Sequence, residues 1–162
     1  SARLRHAVDW ARELAHELHP SEIDELGLPQ ALRGYCEDLA ATAEAELRCT
    51  VTEDARGMPR PVTINVYRIA QEAITNALRH ADASRVDVDL AFSDRGLILT
   101  VADDGRGIGR QGSGCRPMEG IGMVGMRERA SMLGAHLRIS SEPGAGTRVR
   151  LQVPADATGV SE

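Results

Sequence analysis

The chain has no lysine; its 19 Lys+Arg positions are all arginine. That absence excludes the Gly-x-x-x-x-Gly-Lys-Ser/Thr phosphate loop, whose lysine reaches the terminal phosphates. In itself it reads as the mark of a GC-rich genome, although arginine also suits phosphate and carboxylate contacts. Aromatic residues make up only 2% of the chain, so the core must be built from Val, Leu, Ile, Ala and Met. Cys36, Cys49 and Cys115 are odd in number and widely spaced. They form neither a metal pattern nor a disulfide framework, which points to a reducing compartment. No apolar run approaches the ~20 residues a membrane-spanning helix needs, and no signal peptide is visible. The segment is therefore expected to make no membrane contact, with any anchor lying outside it. A net charge of −5 argues against a nucleic-acid surface.

What is present fits one soluble globular domain: 162 residues, 42% hydrophobic and 27% charged. Residues 3–19 place Leu4, Val8, Ala11, Leu14, Ala15 and Leu18 at helical spacing, and Pro20 ends that helix. Residues 21–29 carry cap and breaker signals and read as a connector. A second helix is expected from about Gln30 to Glu46, then a strand from Leu47 to Glu53 and a loop to Pro61. From about Val62 to Ala81 a helix splits cleanly. Val66, Ala70, Ala73, Ile74, Ala77, Leu78 and Ala81 fall on one side; Arg68, Glu72, Thr75, Asn76, Arg79 and His80 fall on the other. Val86, Val88, Leu90 and Phe92 alternate as a half-buried strand, and Leu97 to Ala102 reads as a central one. Residues 109–120 are glycine-rich and polar. A helix from about Met123 to Leu133 follows, then a hairpin of Leu137–Ser141 and Thr147–Val153, and a tail expected to be disordered. The sum is an α+β sandwich, a mixed sheet with helices on one face.

Four stretches in this order carry chemistry. Glu72 and Asn76 sit one turn apart on a helix. An amide oxygen is a hard ligand for Mg²⁺, and a carboxylate one turn away can orient a water or nucleophile. Arg79 and His80 extend the same face toward phosphate oxygens. By spacing alone, the plain solvent face of an amphipathic helix is the better reading. Asp103 ends a strand and is followed by glycines at alternate positions, Gly105, Gly107 and Gly109. A carboxylate can accept from the exocyclic amine of adenine, and glycines let backbone pass close to a flat base. An ordinary Asp-Gly turn explains one of these glycines but not three, so both readings stand. Gly120-Ile121-Gly122-Met123-Val124-Gly125 spells a dinucleotide fingerprint, with Glu142 about twenty residues on. The segment before it, with Pro117 and several glycines, cannot be the central strand that fingerprint requires. A flexible lid bringing backbone N–H groups and a helix N-terminus to phosphates is the better reading. Thr147, after Gly146, places a hydroxyl near the base or merely starts a strand.

Together these stretches resemble the ATP-binding domain shared by gyrase, the Hsp90 chaperone, histidine kinases and MutL, the Bergerat fold. Tyr67-Arg68-Ile69-Ala70-Gln71-Glu72-Ala73-Ile74-Thr75-Asn76 with Arg79-His80-Ala81 looks like the N box of two-component sensor histidine kinases. The subfamily it resembles serves response regulators of the LuxR/NarL type. Gly125-Met126-Arg127-Glu128-Arg129-Ala130 is similar to the stretch after that family's lid. Leu18-His19-Pro20 with Asp24-Glu25-Leu26-Gly27-Leu28 is similar to its junction between dimerisation and catalytic domains. The resemblance covers about residues 14–154.

The resemblance implies ATP and Mg²⁺ as cofactors, with Asn76 on the metal and Glu72 assisting phosphoryl transfer. It implies Arg79 and His80 on the phosphates and Asp103 on the adenine amine. Gly105, Gly107 and Ile108 would lie at the base, Gly120, Gly122 and Met123 at the lid, and Thr147 in the base pocket. Arg79 stands where many such kinases have lysine, and Met123 where leucine is usual. A histidine kinase also needs a phosphoacceptor histidine on a dimerising hairpin. His19 is followed at once by Pro20, and no second hairpin helix fits between it and the catalytic part; His6 and His16 share the difficulty. Residues 1–20 are therefore expected to be the end of a dimerisation helix, 21–29 a connector, 30–154 the ATP-binding domain and 155–162 the tail. The expected partners are the chain's own dimerisation and phosphoacceptor domain and a LuxR/NarL-type regulator. The full protein would be a homodimer, and this part cytoplasmic. Two alternatives remain at this point: a serine kinase of the anti-sigma-factor type, and a non-catalytic nucleotide-dependent interaction module.

Overall fold

The computed structural model describes residues 21–52, 57–108 and 121–159. The expected first helix, most of the lid with Gly120, and Cys115 lie outside them. The described elements run α1 (Ser21–Ala40), β1 (Glu46–Val51), α2 (Arg60–His80), β2 (Arg85–Ser93), β3 (Gly96–Asp103), α3 (Ile121–Met132), β4 (His136–Ser141) and β5 (Thr147–Pro154). The strands form one mixed sheet in the order β1-β2-β3-β5-β4. β1 and β2 are parallel, joined through α2, and the other pairs are antiparallel.

Alternation in the central strands puts one face of the sheet in the core. Val86, Val88 and Leu90 of β2, Leu97, Leu99 and Val101 of β3, and Val149, Leu151 and Val153 of β5 are all buried. The residues between them on β2 and β5 are more exposed, so the three helices form the second layer on a single face. α2 is the central helix, and Val66, Ile69, Ala70 and Ile74 on its apolar side are fully buried. The few aromatics are used between helices. The Tyr35 ring of α1 meets the Tyr67 ring of α2 edge-on, with centroids 5.9 Å apart. The Tyr35 hydroxyl lies 3.3 Å from that of Thr75, on the same helix as Glu72 and Asn76.

Three boundaries differ from expectation for local reasons. Residues 21–26, expected as open connector, are helical because Ile23 packs into the core, and the break falls at Gly27 (φ 80°) just before Pro29. The following helix stops at Ala40 rather than near Glu46, because Glu46 already pairs with Arg85 in the sheet. Residues 155–159, expected within a disordered tail, form turns, with Thr158 buried and its hydroxyl donating to the Ala155 carbonyl at 2.7 Å. Cys36 and Cys49 are free thiols on α1 and β1. They hydrogen-bond across that interface, which pushes Cys36 up and holds Cys49 below the ordinary thiol value.

Candidate functional site

β3 ends at Asp103, which still pairs with Val86 of β2 but lies one position beyond the last pairing with β5 at Ala102 and Arg148. The carboxylate is held by backbone: Oδ1 accepts from the Gly105 N–H at 2.9 Å and the Thr147 N–H at 3.3 Å. The next residue, Asp104, ties the same turn to the start of β2. It accepts from the Ser84 and Arg85 N–H groups at 2.8 Å and from the Ser84 hydroxyl. The Ser84 hydroxyl, followed by these amides, holds the Asp104 carboxyl below its ordinary value.

The turn then docks on the end of α2. The Arg106 N–H donates to the Ala81 carbonyl at 2.7 Å, and its guanidinium donates to the His80 carbonyl at 2.9 Å. A Cβ at Gly105 would collide with the Ala81 carbonyl, so a side chain there would push the turn off the helix. The glycine expected to make room for a flat base thus has a reason within the protein. Gly146 has the same character at β5, with φ 81° and the Asp103 carbonyl where a Cβ would stand. Gly107 (φ 72°) lies against the Glu142 carbonyl, and the Ile108 N–H donates to Ser141 Oγ at 2.7 Å.

On α2, Asn76 Nδ2 donates to Glu72 Oε1 at 3.1 Å. That bond orients the amide. With its nitrogen engaged by Glu72, the amide directs its oxygen away from that bond, an orientation that would suit a hard cation. Both side chains are half-buried, whereas Arg79 and His80 are exposed at the end of the helix. The first turn of α3 rests on the same carboxylate: a Cβ at Gly122 would overlap Glu72 Oε1. The partial positive charge of a helix N-terminus favours an acid in that position. Met123 is packed against the core beside it.

The structure thus brings most of the expected residues to one end of the sheet. Asp103, Gly105, Gly107, Ile108 and Thr147 form one connected turn. That turn is fastened to the end of α2, which carries Glu72, Asn76, Arg79 and His80, and Gly122 and Met123 follow Glu72. Gly120 lies outside the described residues. Two residues of this network carried no signal in the sequence reading, Asp104 and Ser141. The dinucleotide reading finds no support. Gly122 and Gly125 lie inside α3, and the parallel pair among the described strands encloses α2 instead. No group of three His, Cys, Asp or Glu that could hold a metal occurs among the described residues. No described helix is long and apolar enough to cross a membrane. A separate cavity of about 360 Å³, lined by Ile23, Leu28, Met58 and Arg60 among others, includes none of the site residues.

A mixed sheet under three helices, with an acid-glycine turn fastened to a helix bearing Glu and Asn one turn apart, defines a nucleotide-binding ATPase class. Residues 61–157 match the family described as histidine kinase-, DNA gyrase B-, and HSP90-like ATPase, and the chain belongs to that family. It is 33% identical over 147 residues to the oxygen sensor histidine kinase NreB of Staphylococcus carnosus (strain TM300), across 91% of this chain. The chain spans 42% of the length of that relative. Among solved structures it resembles the histidine kinase domain of the Erythrobacter litoralis EL346 blue-light activated histidine kinase. There the TM-score is 0.67 at 24% identity, covering 83% of this chain and 66% of that one. It also resembles full-length ShkA in complex with AMPPNP, with TM-score 0.59 at 17% identity, over 79% of this chain and 29% of that one. At these identities the structural likeness is one of fold, and the fold is the sandwich expected from the sequence.

Proposed function

We propose that the chain binds ATP with Mg²⁺ and donates the γ-phosphate to a histidine on a dimerisation domain, for relay to a response regulator. The observation that carries this reading is the fastening of the Asp103 turn to the end of the helix that bears the Glu72–Asn76 pair. Asp103 accepts the adenine amine, with Gly105, Gly107, Ile108 and Thr147 around the base. Asn76 holds Mg²⁺ through its free amide oxygen, and the ion, when bound, neutralises phosphate charge. Arg79 and His80 bind phosphate oxygens, and Gly120, Gly122 and Met123 belong to the lid and its helix. In the transfer the acceptor nitrogen attacks the γ-phosphorus as its bond to the β-phosphate oxygen breaks and ADP leaves. Glu72 accepts the proton of that nitrogen or orients it. Positioning and charge neutralisation supply most of the catalysis.

Residues 1–20 are assigned to the dimerisation domain, 21–29 to the connector and 30–154 to the catalytic domain. The acceptor histidine lies on a partner domain, the regulator is of the LuxR/NarL type, and the full protein is a cytoplasmically active homodimer. The kinship with NreB over 91% of the chain supports the histidine kinase over the serine kinase and over a non-catalytic module. Two measurements test the reading. Calorimetry with Mg-ATP is expected to show binding that Asp103→Asn and Asn76→Asp each weaken. Incubation with a dimerisation domain carrying an acceptor histidine is expected to yield a phosphoprotein stable in alkali and labile in acid. An acid-stable product would turn the reading to the serine kinase, and absence of nucleotide binding would turn it to the interaction module.

A further inference from the structure

The helices cover one face of the sheet and leave the other open. Strand register fixes what that open face carries. Ile98, Thr100 and Ala102 of β3 run down its middle, all half-buried. Asp89 of β2 and Arg150 of β5 flank Thr100 on opposite sides, and Asp87 and Arg148 flank Ala102 in the same order. Ala91 and Gln152 flank Ile98. The face is therefore acidic along β2, small or apolar along β3 and basic along β5. Arg138 of β4 stands beside Arg150 and adds to the basic side.

The fold does not account for that basic side. Arg48 on β1 and Arg85 on β2 each hold an acid two residues away on their own strand, Glu46 at 2.8 Å and Asp87 at 3.0 Å. β4 and β5 contain no acid. Arg138, Arg148 and Arg150 are exposed and make no ion pair among the described residues, and neither does Asp89. Like charges directly opposite each other on two strands weaken a sheet. On a chain whose net charge is −5, three arginines gathered on one side of an open face suit an acidic surface. The chain carries such a surface itself, two strands away along β2.

We infer that the open face of the sheet is a self-association surface, on which a second copy of this chain docks about a two-fold axis running along β3. Such an axis lays β5 of each copy over β2 of the other and keeps every residue in its row. Arg150 then meets Asp89 and Arg148 meets Asp87, and each pair forms twice because the contact is isologous. Thr50 falls over Arg138 and Ser140 over Arg48, so no like charges meet in these rows. A two-fold axis across the strands would instead set β5 over β5 and arginine over arginine. Along the centre, Ile98, Thr100 and Ala102 are small enough for two sheets to pack face to face. The surface is separate from the dimerisation expected through residues 1–20, and it leaves the helix layer with Glu72 and Asn76 uncovered.

The test is sedimentation of the chain at low salt and at concentrations up to about 1 mM, where the parent is expected to associate. Arg150→Asp and Asp89→Arg each set like charges face to face twice, and each is expected to weaken association at least about 10-fold on its own. An equimolar mixture of the two variants is expected to recover it, because in the mixed pair every reversed residue meets its opposite. Both variants should melt near the parent, since neither side chain has an ion pair among the described residues. Salt at about 1 M, where the Debye length is ~3 Å, should weaken the parent in the same way. A contact made through residues 1–20 or through the helices would be indifferent to both variants and gain nothing from mixing; that result overturns the inference, and so does a parent that stays monomeric throughout. Should either variant fail to fold, Arg148→Asp decides alone, and unchanged association there also overturns it. None of these outcomes involves a nucleotide, so failure here leaves the nucleotide reading standing.

Discussion

The two halves of the site are built differently. On the base side, the Asp103 carboxylate and the Ser141 hydroxyl are each held by two or more bonds, most of them from backbone groups. On the phosphate side, Glu72 and Asn76 share one side-chain bond on a helix surface, and Arg79 and His80 stand exposed beyond them. The base side is assembled by folding itself, since its donors and acceptors are strand ends and tight turns. On the proposed reading, the phosphate side is a set of side chains whose final geometry a charged ligand and its cation would complete. A pre-organised base pocket gives selectivity without ordering cost, while adaptable phosphate ligands allow a nucleotide to change charge in place during transfer.

That contrast can be broken by substitution. Asp103→Ala is expected to have the largest effect, lowering ATP affinity on the order of 100-fold, as loss of a hydrogen bond to a charged group does. Because the same carboxylate satisfies the Gly105 and Thr147 amides, the melting temperature should fall as well. A variant that lost affinity with unchanged melting would show that the base side is not assembled by the fold. Asn76→Ala should behave oppositely. Affinity for ATP is expected to fall about 30-fold in Mg²⁺ and hardly at all in EDTA, with melting unchanged, since the ligand rather than the fold uses this residue. Equal losses with and without the cation would remove Asn76 from the metal.

Gly122→Ala sharpens the comparison at the point where the lid helix meets the phosphate side. Alanine is favoured over glycine within a helix by about 1 kcal/mol, yet its Cβ would overlap the end of the Glu72 side chain. A flexible carboxylate can yield, so stability is expected to hold while Glu72 swings off Asn76. Phosphotransfer to the histidine domain should then slow about 10-fold with ATP affinity nearly unchanged, the signature of a misplaced proton acceptor. Loss of affinity in place of rate would place Gly122 in ground-state binding.

The same contrast explains what the sequence revealed. The phosphate side lies on one helix, so its face shows by period: Glu72, Asn76 and Arg79 share it while Val66, Ala70 and Ile74 take the other. Period alone read that face as plain solvent surface, and only the likeness to the N box gave it chemistry. The alternation of Val86, Val88 and Leu90 placed β2, and the apolar run to Val101 placed β3, for the same reason. The base side is made of contacts between residues far apart along the chain. Ser141 meets Ile108 across 33 positions, and Asp104 meets Ser84 across 20, so no local pattern marked either. Thr147, which by itself could merely start a strand, is tied to Asp103 across 44 positions. The kink at Gly27 was legible as a breaker, but the burial of Ile23 that makes residues 21–26 helical is a tertiary effect.

The smallest expected effect concerns the clamp outside the pocket. Asp104 is exposed, and the Ser84 hydroxyl with neighbouring amides holds its carboxyl below the ordinary 3.8. A depressed carboxyl binds its proton less readily in the folded chain than in the unfolded one. The clamp's contribution to stability is therefore complete above about pH 4 and is lost as the pH falls through the lowered value. Denaturant titrations between neutral and acid pH should show parent and Asp104→Asn converging at the acid end, with the parent more stable at neutral pH. The offset should be small, because solvent screens an exposed group. It should also leave ATP affinity untouched, since Asp104 grips the start of β2 and not the Asp103 carboxylate. A change in that affinity would mean that the clamp and the base pocket move as one unit, and the rigid side of the comparison would then extend to the start of β2.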